Sequence, residues 1–192
     1  EKINGTIIMP GETFSYNQVV GKRTIDAGYK EAGAYAGGKV IQEIGGGICQ
    51  VSSTLYNAVL YADLEIVERS NHYFETSYVT AGRDATVSWG TVDFKFKNNR
   101  TYPIKIEAVA KNGINKISIL GIKEEKEDEI VIQSKVTSII EQEIKYENDY
   151  SIPYGEEEVE QQGHNGCTSK TYIIKKLNGA TVSTEEITSD YY

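Results

Sequence analysis

Gly45-Gly46-Gly47-Ile48-Cys49-Gln50 runs directly into Val51-Ser52-Ser53-Thr54-Leu55-Tyr56-Asn57-Ala58-Val59-Leu60-Tyr61-Ala62, and this stretch decides how the chain is read. From Gln50 to Ala62 the apolar residues Val51, Leu55, Ala58, Val59 and Ala62 fall on one stripe of an amphipathic helix. The three glycines before it free the backbone from side-chain sterics just where a cysteine is delivered to the helix start. A thiol there sits at the positive end of the helix macrodipole, which favours the thiolate, the form that acts as nucleophile or metal ligand.

Working outward, Thr6 to Met9 reads as a short strand stopped by Pro10-Gly11, and Val40 to Ile44 as a strand leading into the glycine run. Between them, Glu12 to Lys39 is punctuated by glycine and suggests only short helices and loops around Gly21 to Thr24 and Gly28 to Lys30. Beyond the helix, Asp63 closes the pattern and Leu64 to Arg69 begins an extended segment towards His72. After Gly82 come period-two runs at Ala85 to Trp89, Val92 to Lys97, Pro103 to Lys111 and Asn115 to Ile122, with Asn112-Gly113 as a hairpin signal. Residues 1–122 therefore read as an α+β domain, a helix docked on an antiparallel sheet.

The charge run Lys123 to Asp128 marks a linker. Past it, residues 129–192 show extended runs at Glu129 to Ile140, Glu143 to Tyr146, Cys167 to Leu177 and Ala180 to Ile187, the last two joined by Asn178-Gly179. No helical pattern interrupts them. A smaller, elongated all-β domain is expected, suited to a spacer or a binding role.

Composition is that of a folded chain: 192 residues, 39% hydrophobic, with no run near the ~20 apolar residues of a membrane helix. The net charge of −8 is made of −9 in residues 123–192, where 7 Lys/Arg face 16 Asp/Glu, and +1 in residues 1–122. Nucleic acid is excluded as a partner on this ground, because phosphate binding needs a basic face. The chain begins at Glu1 without an initiator methionine and is expected to be part of something longer.

Two cysteines and two histidines carry all the soft-ligand or nucleophile chemistry on offer. A cysteine nucleophile needs a base within hydrogen-bond reach and a group to orient that base. His72 is the natural partner of Cys49, since a helix and a returning strand can bring it back to the helix start. For the orienting group Asp84 is the first choice and a backbone carbonyl the alternative. The N–H groups of Cys49 and Gln50, or the Gln50 side chain, would hold an oxyanion, with Gly45 to Gly47 allowing a substrate strand close to the backbone. Arg23 and Arg69 are both candidates for a substrate carboxylate, or equally structural arginines.

Competing readings are a buried, inert Cys49, a Cys49–Cys167 disulfide, and a second dyad from His164 and Cys167, where glycine-rich turns and a thin host module argue for a structural role. A zinc site lacks the paired ligand spacing, and no metal or cofactor is expected.

Residues from about Pro10 to Gly121 resemble the VanW domain family, in Pro10 to Ser15, Gly21 to Thr24, Gly45 to Ala58, Glu68-Arg69 through His72, Gly82 to Val87 and Asp93 to Asn98. One departure is Thr80-Ala81, where the family commonly has a proline after Tyr-Val. The remainder, with Gly163, Gly166 and Gly179 in a β-rich module, looks like a glycine-five domain. The resemblance implies a cysteine L,D-transpeptidase acting on peptidoglycan stem peptides, with the family's cysteine and histidine falling on Cys49 and His72. It further implies an extracellular place on the cell wall or outer surface of a Gram-positive bacterium. A cell-wall glycan would be the ligand of the second domain. A monomer is expected. A non-catalytic wall-binding module and a redox pair of Cys49 with Cys167 are the rivals.

Overall fold

The computed structural model describes residues 2–36, 39–123, 128–160 and 162–192. Along the chain the elements are β1 (Ile7–Ile8), β2 (Thr13–Ser15), α1 (Tyr16–Val20), β3 (Glu31–Ala36), β4 (Lys39–Ile44), α2 (Ile48–Tyr61), β5 (Glu65–Glu68), β6 (Lys95–Lys97), β7 (Ile104–Lys111), β8 (Ile114–Leu120), β9 (Glu129–Ile140), β10 (Gly166–Leu177) and β11 (Ala180–Tyr191). Every strand pairing is antiparallel.

Four small sheets replace the single sheet expected of residues 1–122 and the module after it: β1-β7-β8, β2-β6-β5, the β3-β4 hairpin and β11-β10-β9. The glycine-punctuated segment that suggested only short helices and loops contains β3 as well as α1. The Asn112-Gly113 and Asn178-Gly179 turns join β7 to β8 and β10 to β11, with positive φ at all four residues as such hairpins require.

Two expected strands did not form. Residues 85–89 make only an isolated bridge, Ser88 to Val92, because their backbone is bonded to side chains and, at the Thr86 N–H, to the Ser70 carbonyl (2.9 Å), and not to a neighbouring strand. The Asn17 amide donates to the carbonyls of Ser88 (3.0 Å) and Val92 (2.8 Å), and Ser53 Oγ accepts from the Ala85 N–H (2.9 Å). Residues 143–146 lie outside any strand, with Ile144 and Tyr146 exposed.

Helix α2 sits at the centre of the core. Leu55, Tyr56, Val59 and Leu60 are buried with Phe14, Tyr16, Phe94, Phe96, Ile8, Ile104 and Ile106. The helix is thus buried over a wider arc than the predicted stripe, since Val51, Ala58 and Ala62 are only partly covered. Burying four such side chains stabilises the domain by roughly 1.5–3 kcal/mol each.

The second segment is not held apart as a spacer. Ile173 of β10 is buried in the same core, and Ile130, Ile132 and Ile187 pack against it. An ion pair between Lys175 Nζ and Asp63 (2.5 Å) adds to this contact. Of the charged linker, residues 124–127 lie outside the described residues. Among the described residues no helix is long and apolar enough to cross a membrane.

Candidate active site

Cys49 is the second residue of α2, whose N-cap is Gly47 in a left-handed conformation (φ 82°). Gly46 explains the tightness of this entry: a Cβ there would lie 2.2 Å from the Ala32 carbonyl oxygen, so the turn rests directly on β3. The close approach expected for a substrate strand is, at Gly46, made by the chain's own hairpin. At Gly47 a Cβ would meet open space, so that face of the turn is clear.

The polar residues of α2 do a second job that the apolar stripe does not. Ser52 Oγ donates to the Ala85 carbonyl (2.6 Å), and Asn57 donates to the Arg83 carbonyl (2.7 Å) while accepting from Arg83 Nε (2.6 Å). With Ser53, these groups stitch segment 83–87 along the helix. Thr86 and Val87 are thereby set against Cys49: the sulfur lies 3.5 Å from the Val87 N–H nitrogen and 3.7 Å from the Thr86 hydroxyl. The same stitching fixes Asp84 one residue before Ala85.

His72 arrives on the loop after β5 and meets both groups. Its Nδ1–H donates to Asp84 Oδ2 (2.5 Å), its backbone N–H donates to the same oxygen (2.7 Å), and the ring is near enough to the Cys49 thiol for each to favour the other's charged form. With Nδ1–H given to the carboxylate, Nε2 is the nitrogen left for chemistry. Tyr78 packs edge-on to the imidazole, ring centres 6.4 Å apart, with its hydroxyl 3.4 Å from Nε2.

The electrostatics follow from these contacts. Burial pushes the Cys49 thiol up, but the hydrogen bonds with His72, Val87 and Thr86 outweigh it, and the thiol ends below its ordinary value. Burial works against a charged His72, yet the Asp84 bond and the Cys49 thiolate raise it to about 9. Asp84 is buried, which alone would raise it; donors from His72, Tyr192 and Arg69 bring it below the usual carboxylate range. Tyr78 is pushed up to about 12, chiefly by burial, and stays protonated. A thiolate–imidazolium pair backed by a carboxylate is the state these values favour.

The remaining sequence candidates separate. Arg69 is no substrate ligand. It is buried, donates to the Asp84 carbonyl (2.7 Å), pairs with Asp84 Oδ1 (2.9 Å) and Asp190 Oδ1 (2.5 Å), and lies over the Tyr56 ring. Its guanidinium is consumed by the scaffold. Arg23 lies over Tyr16 behind the glycine turn and gives one donor to Asn17 (2.7 Å); its Nε and a second amino group are buried with no hydrogen-bond partner among the described residues. The Gln50 N–H turns back to the Gly47 carbonyl (3.2 Å), while the Cys49 N–H has no backbone carbonyl partner among the described residues. The Gln50 side chain is exposed.

Both cysteines are free thiols, so no disulfide joins them. Cys167 is buried with Ala81 and Tyr192, where burial and the Glu75 carboxylate push its thiol up, and His164 is exposed. Sequence reasoning missed Tyr78, Thr86 and Tyr192. Tyr78 lay within reach, six residues past His72; Tyr192 carried no signal at all.

Comparison with known proteins agrees with the motif spacing. The chain matches the VanW like protein family over residues 1–120 and the G5 domain over residues 131–192. It is 54% identical over 106 residues to a Bacillus subtilis (strain 168) protein named uncharacterized protein YoaR, covering 55% of this chain and 35% of that one. It is 38% identical over 109 residues to the vancomycin B-type resistance protein VanW of Enterococcus faecalis (strain ATCC 700802 / V583), covering 53% of this chain and 40% of the relative. The chain thus spans well under half the length of these relatives. No solved structure matches. With a VanW match over most of its length and a G5 match after it, the chain belongs to the VanW family.

Proposed function

We propose that this chain is a peptidoglycan L,D-transpeptidase acting through a cysteine thioester. The observation that carries the reading is the meeting at the start of α2 of Cys49 with His72, whose ring is hydrogen-bonded to Asp84 (2.5 Å) and is coupled electrostatically to the thiol. Nucleophile, base and orienting carboxylate in that order are what acyl transfer by a thiol needs. Membership of a family that includes a vancomycin resistance protein supports a cell-wall setting, and with it a place outside the cell.

In the first half-reaction the Cys49 thiolate attacks the carbonyl carbon of the third residue of a tetrapeptide stem. The oxygen takes the negative charge and meets the Cys49 N–H beside the open face of Gly47, with the Gln50 side-chain amide as an additional donor. Collapse breaks the peptide bond, the His72 imidazolium gives its Nε2 proton to the departing D-alanine amine, and a thioester remains. In the second half, neutral His72 takes a proton from the acceptor amine of a neighbouring stem as that nitrogen attacks the thioester. Collapse returns the Cys49 thiolate. Water in place of the amine makes the same site an L,D-carboxypeptidase. The G5 segment would add contact with cell-wall glycan.

The test is incubation with purified tetrapeptide muropeptides, followed by mass spectrometry of products and of trapped acyl-enzyme. Cross-linked dimers and a thioester adduct on Cys49 are expected, both lost in Cys49→Ala. Stem binding without turnover by the wild-type chain would instead identify a wall-binding module and refute the reading.

A further inference from the structure

The carboxylate that holds His72 is itself held from the far end of the chain. Tyr192 donates its hydroxyl proton to Asp84 Oδ1 (2.5 Å) and accepts from the Gly82 N–H (2.7 Å). This hydroxyl is buried between the two segments. Asp84 has four donors among the described residues: the His72 backbone and ring, Arg69, and Tyr192. The last comes from the G5 segment.

Other contacts across the same boundary fall on the same two loops. Asp190 accepts from Arg69, and Asn71 donates to the Tyr191 carbonyl (2.7 Å), next to His72. Thr171 donates to the Gly82 carbonyl (3.1 Å), and a Cβ on Gly82 would lie 2.2 Å from that hydroxyl, so β10 lies flush against the loop that carries Asp84. Tyr192 is fixed in turn by paired backbone bonds with Cys167, 2.8 and 3.0 Å. The loops bearing His72 and Asp84 are gripped at positions 69, 71, 82 and 84 by residues 171 and 190–192.

From this placement we infer that the G5 segment completes the VanW site, with Tyr192 as a positioning residue that fixes the Asp84 carboxylate and, through it, the His72 ring beside Cys49. The inference deepens the proposed acyl transfer and rests on it. Tyr192 touches no reacting atom. Its hydroxyl shares Oδ1 with Arg69, and Oδ2 is left to the two donors of His72. The charged and titratable groups facing Asp84 are His72, Arg69, Asp190 and Tyr192, with Tyr56 and Arg83 behind; those facing Cys49 are His72, Tyr16 and Tyr78.

The experiment is the pH profile of Cys49 alkylation by iodoacetamide, read peptide by peptide in the full chain, for wild type, Tyr192→Phe, Lys175→Ala and Asp84→Asn. Lys175→Ala removes an ion pair across the same boundary but away from the site. Circular dichroism confirms that each variant is folded. Tyr192→Phe is expected to raise the midpoint, lowering the alkylation rate at pH 7 about threefold or more by loss of thiolate, with Asp84→Asn moving it further and Lys175→Ala leaving it in place. A Tyr192→Phe midpoint equal to wild type, with Asp84→Asn displaced, overturns the role of Tyr192 and leaves the dyad standing. An equal shift in Lys175→Ala also overturns it, since general loosening would then suffice. A wild-type midpoint at the ordinary value of about 8.5 overturns the dyad itself.

Discussion

Replacing Asp84 by asparagine keeps the outline of the side chain and removes its charge. His72 stands at about 9 although its burial works against the charged ring, and the bond to Asp84 is the first of the causes that raise it. The distance from the ordinary 6.5 to about 9 corresponds to roughly 3 kcal/mol of preference for the imidazolium. Cys49 supplies part of this, so Asp84→Asn is expected to lower the His72 midpoint by about one to two pH units, or about 1.4–3 kcal/mol. The sign of the stability change follows. A raised histidine value stabilises the fold fully below about 6.5, and that stabilisation is lost as pH rises through about 9. The variant should therefore lose most against wild type just below about pH 6.5, where Asp84 is still ionised, progressively less as pH rises from there, and least above pH 9. The assay is an NMR titration of the ring Cε1–H resonances. Only two histidines are present, and a His164→Gln variant assigns them. A His72 midpoint near 6.5 in wild type, or one that Asp84→Asn does not move, would refute the reasoning.

Three further outcomes are expected. Dimer formation against pH should be bell-shaped, rising through the lowered Cys49 value and falling through about 9 as His72 loses the proton it gives to the leaving amine; a plateau continuing well above pH 9 would exclude that role. Gly46→Ala should destabilise the chain by about 1–3 kcal/mol in urea unfolding, because its Cβ meets backbone atoms of Ala32 that cannot rotate away. A midpoint unchanged from wild type would show that the turn does not rest on β3. Iodoacetamide on the native chain should place one label, on Cys49, and a second on Cys167 only after unfolding, since Cys167 is 2% exposed and its thiol is pushed up.

The parts of this molecule that were legible in sequence are those in which local pattern and tertiary fate coincide. The helix α2 and the two Asn-Gly hairpins depend on neighbours a few residues away, and the structure forms them where the pattern does, although the buried face of α2 takes in Tyr56 and Leu60 beyond the predicted stripe. The proximity of Cys49, His72 and Asp84 was readable because a helix and its return strand limit where the following loop can go. The extended run at 85–89 was read as a sheet strand because period two says nothing about what bonds the backbone. Here Ser52 and Ser53 on the helix bond Ala85, and Asn17 bonds Ser88. The sequence leaves Arg69 between two roles for a related reason: a guanidinium in a motif is equally suited to a substrate carboxylate and to Asp84 and Asp190, and only the packing distinguishes them. The glycine run was assigned to a substrate when at Gly46 the crowding partner is β3.

The bonds from Arg69 to Asp190 and from Tyr192 to Asp84 span 121 and 108 residues, among the longest separations in the chain. Contacts of such range form late, since the intervening chain must first be ordered, and residues 190–192 are made after everything they hold. The hydrophobic centre around α2 can gather from its own neighbourhood well before that. Maturation of the thiol site is thereby tied to arrival of the G5 strands, so that a partly made chain carries Cys49 with its backing carboxylate still unclamped.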